Sequence, residues 1–248
     1  MKLVGFCKFF NEISRGYGDV FESMLKQMSK MCDVTILFND GSNDGTGEIA
    51  KKYTIHIIGS LKNDFEAERE HLQVMVDYAK NLARTEGWTD SVWGIHIDSD
   101  ELLDAPEKVR ELCEFLEKNG YDSAWFHLKN LWMSEDYRVD GGFNSLWKNI
   151  IWKLTDDMKF DVSRGLHKPL HPVTLKRTFN SDISILHYGF SNLRRIANKY
   201  AVYKAHGQQG HALDRLVPVN PARVRSLTDG KVKTVSVSKE EWERVLSG

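Results

Sequence analysis

Short apolar runs alternate with amphipathic stretches through the first half of the chain. LVGFCKFF (3–10), DVTILF (33–38), IHII (55–58), VWGIHI (92–97) and DSAWFHL (122–128) are rich in β-branched and aromatic residues and read as strands. Between them, Val20, Met24, Met28 and Met31 recur at helical spacing, as do Phe65, Leu72, Met75, Val76, Ala79 and Leu82. EIAKKY (48–53) reads as a short helix, and Asp104 with Pro106 and Glu107 makes an N-cap pattern for a helix through Leu116. This alternation predicts an α/β fold with a mostly parallel sheet and helices on both faces. Sheets of that kind bind ligands outside the carboxyl ends of their strands.

The pattern loosens beyond residue 130. LWMSEDYRVDGGFNSLWKNIIWKL reads as loops with short antiparallel strands, and six of the seven tryptophans lie between Trp88 and Trp152. Residues 191–204 are helical in pattern, AHGQQGHALD (205–214) reads as a mobile loop, and the chain ends in KVKTVSV and a helix capped by Ser238 with Glu241. There is no repeat, low-complexity tract or linker, so one domain over 1–248 is expected.

Composition narrows the classes. Charged residues make up 28% and apolar residues 41% of the 248, a globular balance. A formal net charge of -1 gives no basic excess for a nucleic-acid binder. No apolar run reaches the roughly 20 residues of a spanning helix, and the N-terminus lacks a signal-peptide pattern. Cys7, Cys32 and Cys113 are odd in number and widely spaced, which reads as reduced buried thiols and a cytoplasmic location.

Two acidic loops leave strand ends on the same expected rim. IHIDSDE places Asp98, Asp100 and Glu101 directly after an apolar run. Carboxylates about 4 Å apart repel by roughly 4 kcal/mol at an effective dielectric near 20, and a hard divalent cation, Mn²⁺ or Mg²⁺, would relieve that repulsion. A solvated acidic turn is the plainer alternative. FNDGSNDGTGEI matches the start of a calcium loop from Asp40 through Asp44 and Gly45, but Lys51 stands where that loop needs a bidentate Glu.

Together these segments resemble family 2 glycosyltransferases: FNDGSNDGT is similar to their DDGSxDGT motif, WGIHIDSDE to their metal-binding DxD, and GFCKFFNE to their first strand with its Asn-Glu ending. The resemblance covers roughly the first 130 residues and implies a GT-A fold. It divides the chain into a nucleotide-sugar-binding half (1–130), an acceptor and metal region (131–215) and a C-terminal extension (216–248). It implies that Asp40 holds the nucleobase or ribose, with Phe9, Phe10, Asn11 and Glu12 lining the pocket and Arg69 contacting the nucleotide. Asn39 replaces the family's usual first Asp of the loop. Asp98 is expected at the ribose or the metal, Asp100 on the metal, and Glu101 in support of the turn. His187, in ISILHYGFSN, would complete the metal sphere, with His167 and His171 as weaker versions of that idea and Lys168 where relatives carry Glu.

For an inverting transfer the resemblance calls for a carboxylate base downstream of DxD, and SEDYRVDGG offers Asp136 and Asp140 with Glu135 beside them. Trp132, Trp147 and Trp152 are divided between acceptor stacking and core, and AHGQQGHALD is the candidate lid. The expected activity is a metal-dependent transfer from a nucleotide-diphospho-sugar to a glycan, glycolipid or protein acceptor, without nucleic acid or transmembrane segment and with peripheral membrane contact left open. Two other readings stay beside it: an inactive nucleotide-sugar-binding protein, and a DxD phosphatase of the haloacid dehalogenase type, against which Leu102 counts.

Overall fold

The computed structural model describes residues 1–163, 169–205, 207 and 209–247. They form two compact units, one of Met1–His127 with Trp147–Ser184 and one of Leu128–Leu146 with the chain from Ile185 onward. The early pattern resolves into β1 (Lys2–Phe9), α1 (Gly18–Met31), β2 (Val34–Asp40), α2 (Thr46–Ala50), β3 (Ile57–Ser60), α3 (Glu68–Thr85), β4 (Val92–His96), β5 (Glu101–Leu103), α4 (Val109–Lys118) and β6 (Ser123–Asn130). After these come β7 (Tyr137–Arg138), β8 (Trp147–Lys153), β9 (Thr178–His187), α5 (Leu193–Ala205), α6 (His211–Asp214), β10 (Ala222–Arg225), β11 (Val232–Val235) and α7 (Lys239–Ser247).

An eight-stranded sheet runs in the order β3-β2-β1-β4-β8-β6-β9-β5. β1 pairs in parallel with β2 and β4, and β2 with β3. β8 then enters antiparallel between β4 and β6. The sheet is therefore mostly parallel where the acidic loops emerge. β4 and β6, consecutive in the sequence reading, are separated by a strand that arrives later in the chain.

Strand alternation decides which side chain meets which helix. Val4 and Phe6 of β1 join Ile36 and Phe38 of β2 against Leu72, Met75, Val76 and Ala79 of α3. The opposite parity of β1 ends at Phe9, whose ring lies 5.1 Å from that of Phe21 on α1. Burying each such side chain is worth roughly 1.5–3 kcal/mol. The helix at 65–84 opens with a 3-10 turn, Phe65–Ala67, and α4 opens with another, Pro106–Lys108. Asp104 does not cap that helix. Its carboxylate accepts from the Ser184 amide at 2.8 Å and its own amide donates to the Ser184 carbonyl at 3.1 Å, tying β5 to β9.

The second unit has its own core of Trp132, Phe143, Phe190, Ile196, Ala222, Val224 and Trp242, beside a three-stranded antiparallel sheet in the order β11-β10-β7. Ser238 caps α7 as its position implies, accepting from the Glu241 amide at 3.1 Å. Trp132 and Trp152 are buried in their separate cores, whereas Trp147 is 43% exposed. No helix among the described residues is long and apolar enough to cross a membrane. Cys7 and Cys113 are buried and Cys32 partly so, all as free thiols.

Candidate active site

The carboxyl ends of β1, β2 and β4 lie side by side because those strands are parallel neighbours, so their loops share one rim. The first two loops are sewn together. Asn11, in the left-handed region at φ 49, donates its amide to Ser42 Oγ at 3.0 Å. Its side chain donates to Asn43 Oδ1 at 3.0 Å and accepts from the Asn43 amide at 2.8 Å. The Ile13 amide donates to Thr46 Oγ1 at 3.2 Å, and the Ser14 amide to Asp44 at 2.7 Å.

Asp40, expected at the nucleobase or ribose, is fully buried; its carboxylate accepts from Asn63 Nδ2 at 2.8 Å, Ser60 Oγ at 3.1 Å and the Asp64 amide at 3.1 Å. Lys8 adds an ion pair at 3.0 Å. Phe9 is buried in the core. Phe10 stands half-buried with its ring edge-on to Phe65 at 5.8 Å. Arg69, for which an exposed helical arginine was the alternative, is buried. It donates to Asp161 at 3.0 Å and Ser163 at 2.8 Å, immediately before residues 164–168. His167 and Lys168 lie outside the described residues. Of the proposed lid, so do His206 and Gln208. His171 makes a T-shaped ring contact with Trp125 at 5.4 Å and belongs to no ligating group among the described residues.

Glu12 is buried, with Oε1 accepting from the Phe10 amide at 3.0 Å and facing Arg15 at 3.3 Å. Oε2 is buried with no hydrogen-bond partner among the described residues. Burial raises its pKa, against the pull of Arg15.

The turn after β4 carries the greatest charge density. The Glu101 amide donates to the Asp98 carbonyl at 3.0 Å, and Glu101 Oε2 accepts from the Asp98 amide at 3.2 Å, closing the turn. Lys148 of β8 reaches into it. Its Nζ donates to Asp98 Oδ2 at 2.6 Å and to Glu101 Oε1 and Oε2 at 2.7 and 2.9 Å. Asp100 is 8% exposed beside them. Burial pushes the Glu101 carboxyl up to about 7, with Asp98 adding to it. Burial is the largest single influence on Asp98 and raises it, but the charge of Lys148, the nearby His96 and the Lys148 hydrogen bond together leave it lowered. The Lys148 ammonium is raised because the two carboxylates overcome its burial. Cys7 sits under the turn, its thiol pushed up by burial and the nearby carboxylates, and is inert as a nucleophile.

His96 ends β4 at 2% exposure, with Nε2 3.6 Å from Asp98 and Nδ1 unpartnered among the described residues. Burial pushes its pKa down to about 4. The unfolded chain therefore binds a proton that the fold refuses, and stability is lost as pH falls from about 6.5 toward 4. Glu101 acts oppositely: its stabilisation is present below about 4.5 and lost as pH rises through about 7. Replacing His96 by Gln is expected to flatten the acid side of a plot of melting temperature against pH. An unchanged slope between pH 6.5 and 4.5 would assign the acid sensitivity elsewhere.

A hard divalent ion asks for oxygen donors, and with phosphates present one or two carboxylates suffice. Asp98 and Asp100 are donors of that kind, so the residues fit such an ion in chemistry. No cluster of three ligating side chains is preformed among the described residues.

The imidazole of His187, the expected third ligand, has both nitrogens engaged. Lys199 Nζ, a donor only, lies 3.0 Å from Nε2, so Nε2 accepts. Nδ1 then carries the proton and donates to Asn130 Oδ1 at 2.6 Å. Both ring nitrogens are engaged within the second unit, and Gly189 leaves the room they need, since a Cβ there would strike Lys199 and His187 Nε2. Asp140, one of the two expected bases, accepts from Arg138 Nε at 2.5 Å and the Arg223 amide at 3.0 Å. The Asp136 carboxylate is held by one ion pair, to the exposed Lys233 at 2.7 Å. The sequence reading missed Lys148, Lys8, His96 and Lys199.

Residues 8–130 match the family model described as Glycosyl transferase family 2. Among solved structures, S. aureus TarS aligns over 88% of this chain and 42% of its own, at 14% identity and TM-score 0.52. S. aureus TarS 1–349 in complex with UDP aligns over 88% and 70%, at 13% identity and TM-score 0.52. Glucosyl-3-phosphoglycerate synthase from Mycobacterium tuberculosis, in complex with Mn²⁺, UDP-glucose and phosphoglyceric acid, aligns over 96% and 88%, at 14% identity and TM-score 0.45. This chain thus spans less than half the length of the longer TarS. No curated protein matches it in sequence.

Proposed function

Because the chain belongs to glycosyl transferase family 2 through residues 8–130, we propose that it transfers a sugar from a nucleotide-diphospho-sugar to an acceptor hydroxyl. The donor would bind on the rim formed by β1, β2 and β4. The observation that carries this reading is the meeting of a tied loop pair with an acidic turn on adjacent parallel strands of a GT-A sheet. Membership in this family removes the haloacid dehalogenase alternative.

In this reading the loop pair of β1 and β2 receives the nucleoside, with Phe10 and Asn11 at its surface and Arg69 bracing the wall. Asp98 and Asp100 would hold a divalent ion, Mn²⁺ or Mg²⁺, which supplies positive charge opposite the leaving diphosphate when bound. Glu101 keeps the turn closed. Asp136 is the retained base, removing the proton from the attacking hydroxyl as it adds to the anomeric carbon with inversion. Glycans, glycolipids and proteins all remain acceptors in this proposal. One observation favours a second reading, nucleotide-sugar binding without transfer: Asp136 and Asp140 both sit in ion pairs.

Calorimetric titration with UDP, GDP and dTDP, each with and without Mn²⁺, tests the donor site. One nucleotide is expected to bind in a metal-dependent way, and failure of all three would overturn the reading. Release of nucleotide diphosphate from the matching nucleotide sugar then separates transferase from binding protein.

A further inference from the structure

Two cations of different kinds have claims on the same carboxylate. Lys148 Nζ lies 2.6 Å from Asp98 Oδ2 and within 2.9 Å of both Glu101 oxygens. A divalent ion at Asp98 and Asp100 would meet that ammonium at the same carboxylate. Two cations at contact distance from one carboxylate repel each other, so each weakens the hold of the other. The Lys148 side chain is 21% exposed. It stands near the start of β8 beside Trp147, which is 43% exposed.

We propose that Lys148 is a built-in competitor for the metal: its ammonium holds the acidic turn closed in the free protein, and the divalent ion enters only together with the nucleotide diphosphate, onto which Lys148 transfers. The inference rests on the donor-site reading above.

The charge balance supports this exchange. Asp98, Asp100 and Glu101 carry three formal negative charges against the one of Lys148, so the turn is never fully neutralised by lysine alone. An isolated ion arriving there must break three charge-assisted hydrogen bonds to gain two carboxylates. An ion arriving with a diphosphate brings further oxygen ligands of its own, and it offers the displaced ammonium new acceptors. Lysine suits the task, being a compact charge on a flexible four-carbon stem with three rotatable donors. The device also keeps the rim from closing on metal without donor.

Mn²⁺ binding, followed by the electron paramagnetic resonance of free Mn²⁺, tests the idea in wild type, Lys148→Met and Lys148→Arg, each with and without UDP. Wild type is expected to bind Mn²⁺ weakly alone and at least about tenfold more tightly with UDP. Lys148→Met is expected to bind Mn²⁺ alone about tenfold more tightly than wild type and to lose most of the gain from UDP. Lys148→Arg should stay with wild type. Thermal unfolding with and without Mn²⁺ shows that each variant is folded, and Mn²⁺ alone should raise the melting temperature of Lys148→Met more than that of wild type. Equal or weaker Mn²⁺ affinity in Lys148→Met, with wild type still binding Mn²⁺ and UDP together, overturns the competition and leaves the donor site standing. Absence of Mn²⁺ binding in every protein, with and without UDP, overturns both.

Discussion

Asp100→Asn is expected to cut sugar transfer by at least about a hundredfold while leaving the protein folded. On the proposed reading Asp98 and Asp100 would hold an ion whose charge would be worth several kcal/mol at the departing diphosphate, and each 1.4 kcal/mol is tenfold in rate. An amide keeps the shape of the carboxylate and one acceptor oxygen but removes the charge. It also relieves the repulsion that Asp100 exerts on Asp98 and Glu101 within the turn. The melting temperature should therefore hold or rise as the activity falls. Parallel assays of nucleotide release and thermal unfolding check the pair, and a matching loss of stability and rate would recast Asp100 as structural.

Asp40→Ala should do the opposite, unfolding the protein before it reveals anything about chemistry. Its carboxylate is completely buried and meets Lys8, Ser60, Asn63 and the Asp64 amide. Removing it strands the Lys8 ammonium, whose side chain is 10% exposed. Breaking a buried pair from one side costs about 3–5 kcal/mol, which for a chain of this size lowers the melting temperature by about 6–20 °C. The double variant Lys8→Met, Asp40→Asn should recover part of that loss, because no unpaired charge is left inside. Equal melting temperatures for wild type and Asp40→Ala would return Asp40 to the list of ligand contacts.

Asp40 also shows what strand parity makes legible. Ile36, Phe38 and Asp40 share one face of β2 by the two-residue period of a strand, and that face packs on α3, where His71 stacks on Phe38 at 4.0 Å. The alternation points the carboxylate inward, and Phe9 has the parity of the α1 face. The strand and helix order, the shared rim and the acidic turn were legible because periodicity and strand-end chemistry are local signals. Lys148 carried no such signal. It lies 47 residues beyond Glu101, in a run that reads as an ordinary half-exposed strand, and meets the turn only because β8 inserts antiparallel beside β4. His187 was located correctly as a strand-end histidine, but Lys199 and Asn130, which consume both its nitrogens, come from other elements of its unit. Pairings of that sort belong to topology, and a pattern along the chain does not contain them.

The reciprocal amide clasp between Asn11 and Asn43 has a consequence for how a nucleotide is received. Two glycine-flanked loops that would otherwise wander independently are ordered before any ligand comes, so their conformational entropy is spent during folding and not at binding. If the donor binds there as proposed, a nucleoside entering between them would meet a finished surface, and its affinity would read out contact quality with little deducted for assembly. Loosening the clasp would then show itself in slower, weaker capture of the donor long before it showed in the stability of the sheet below.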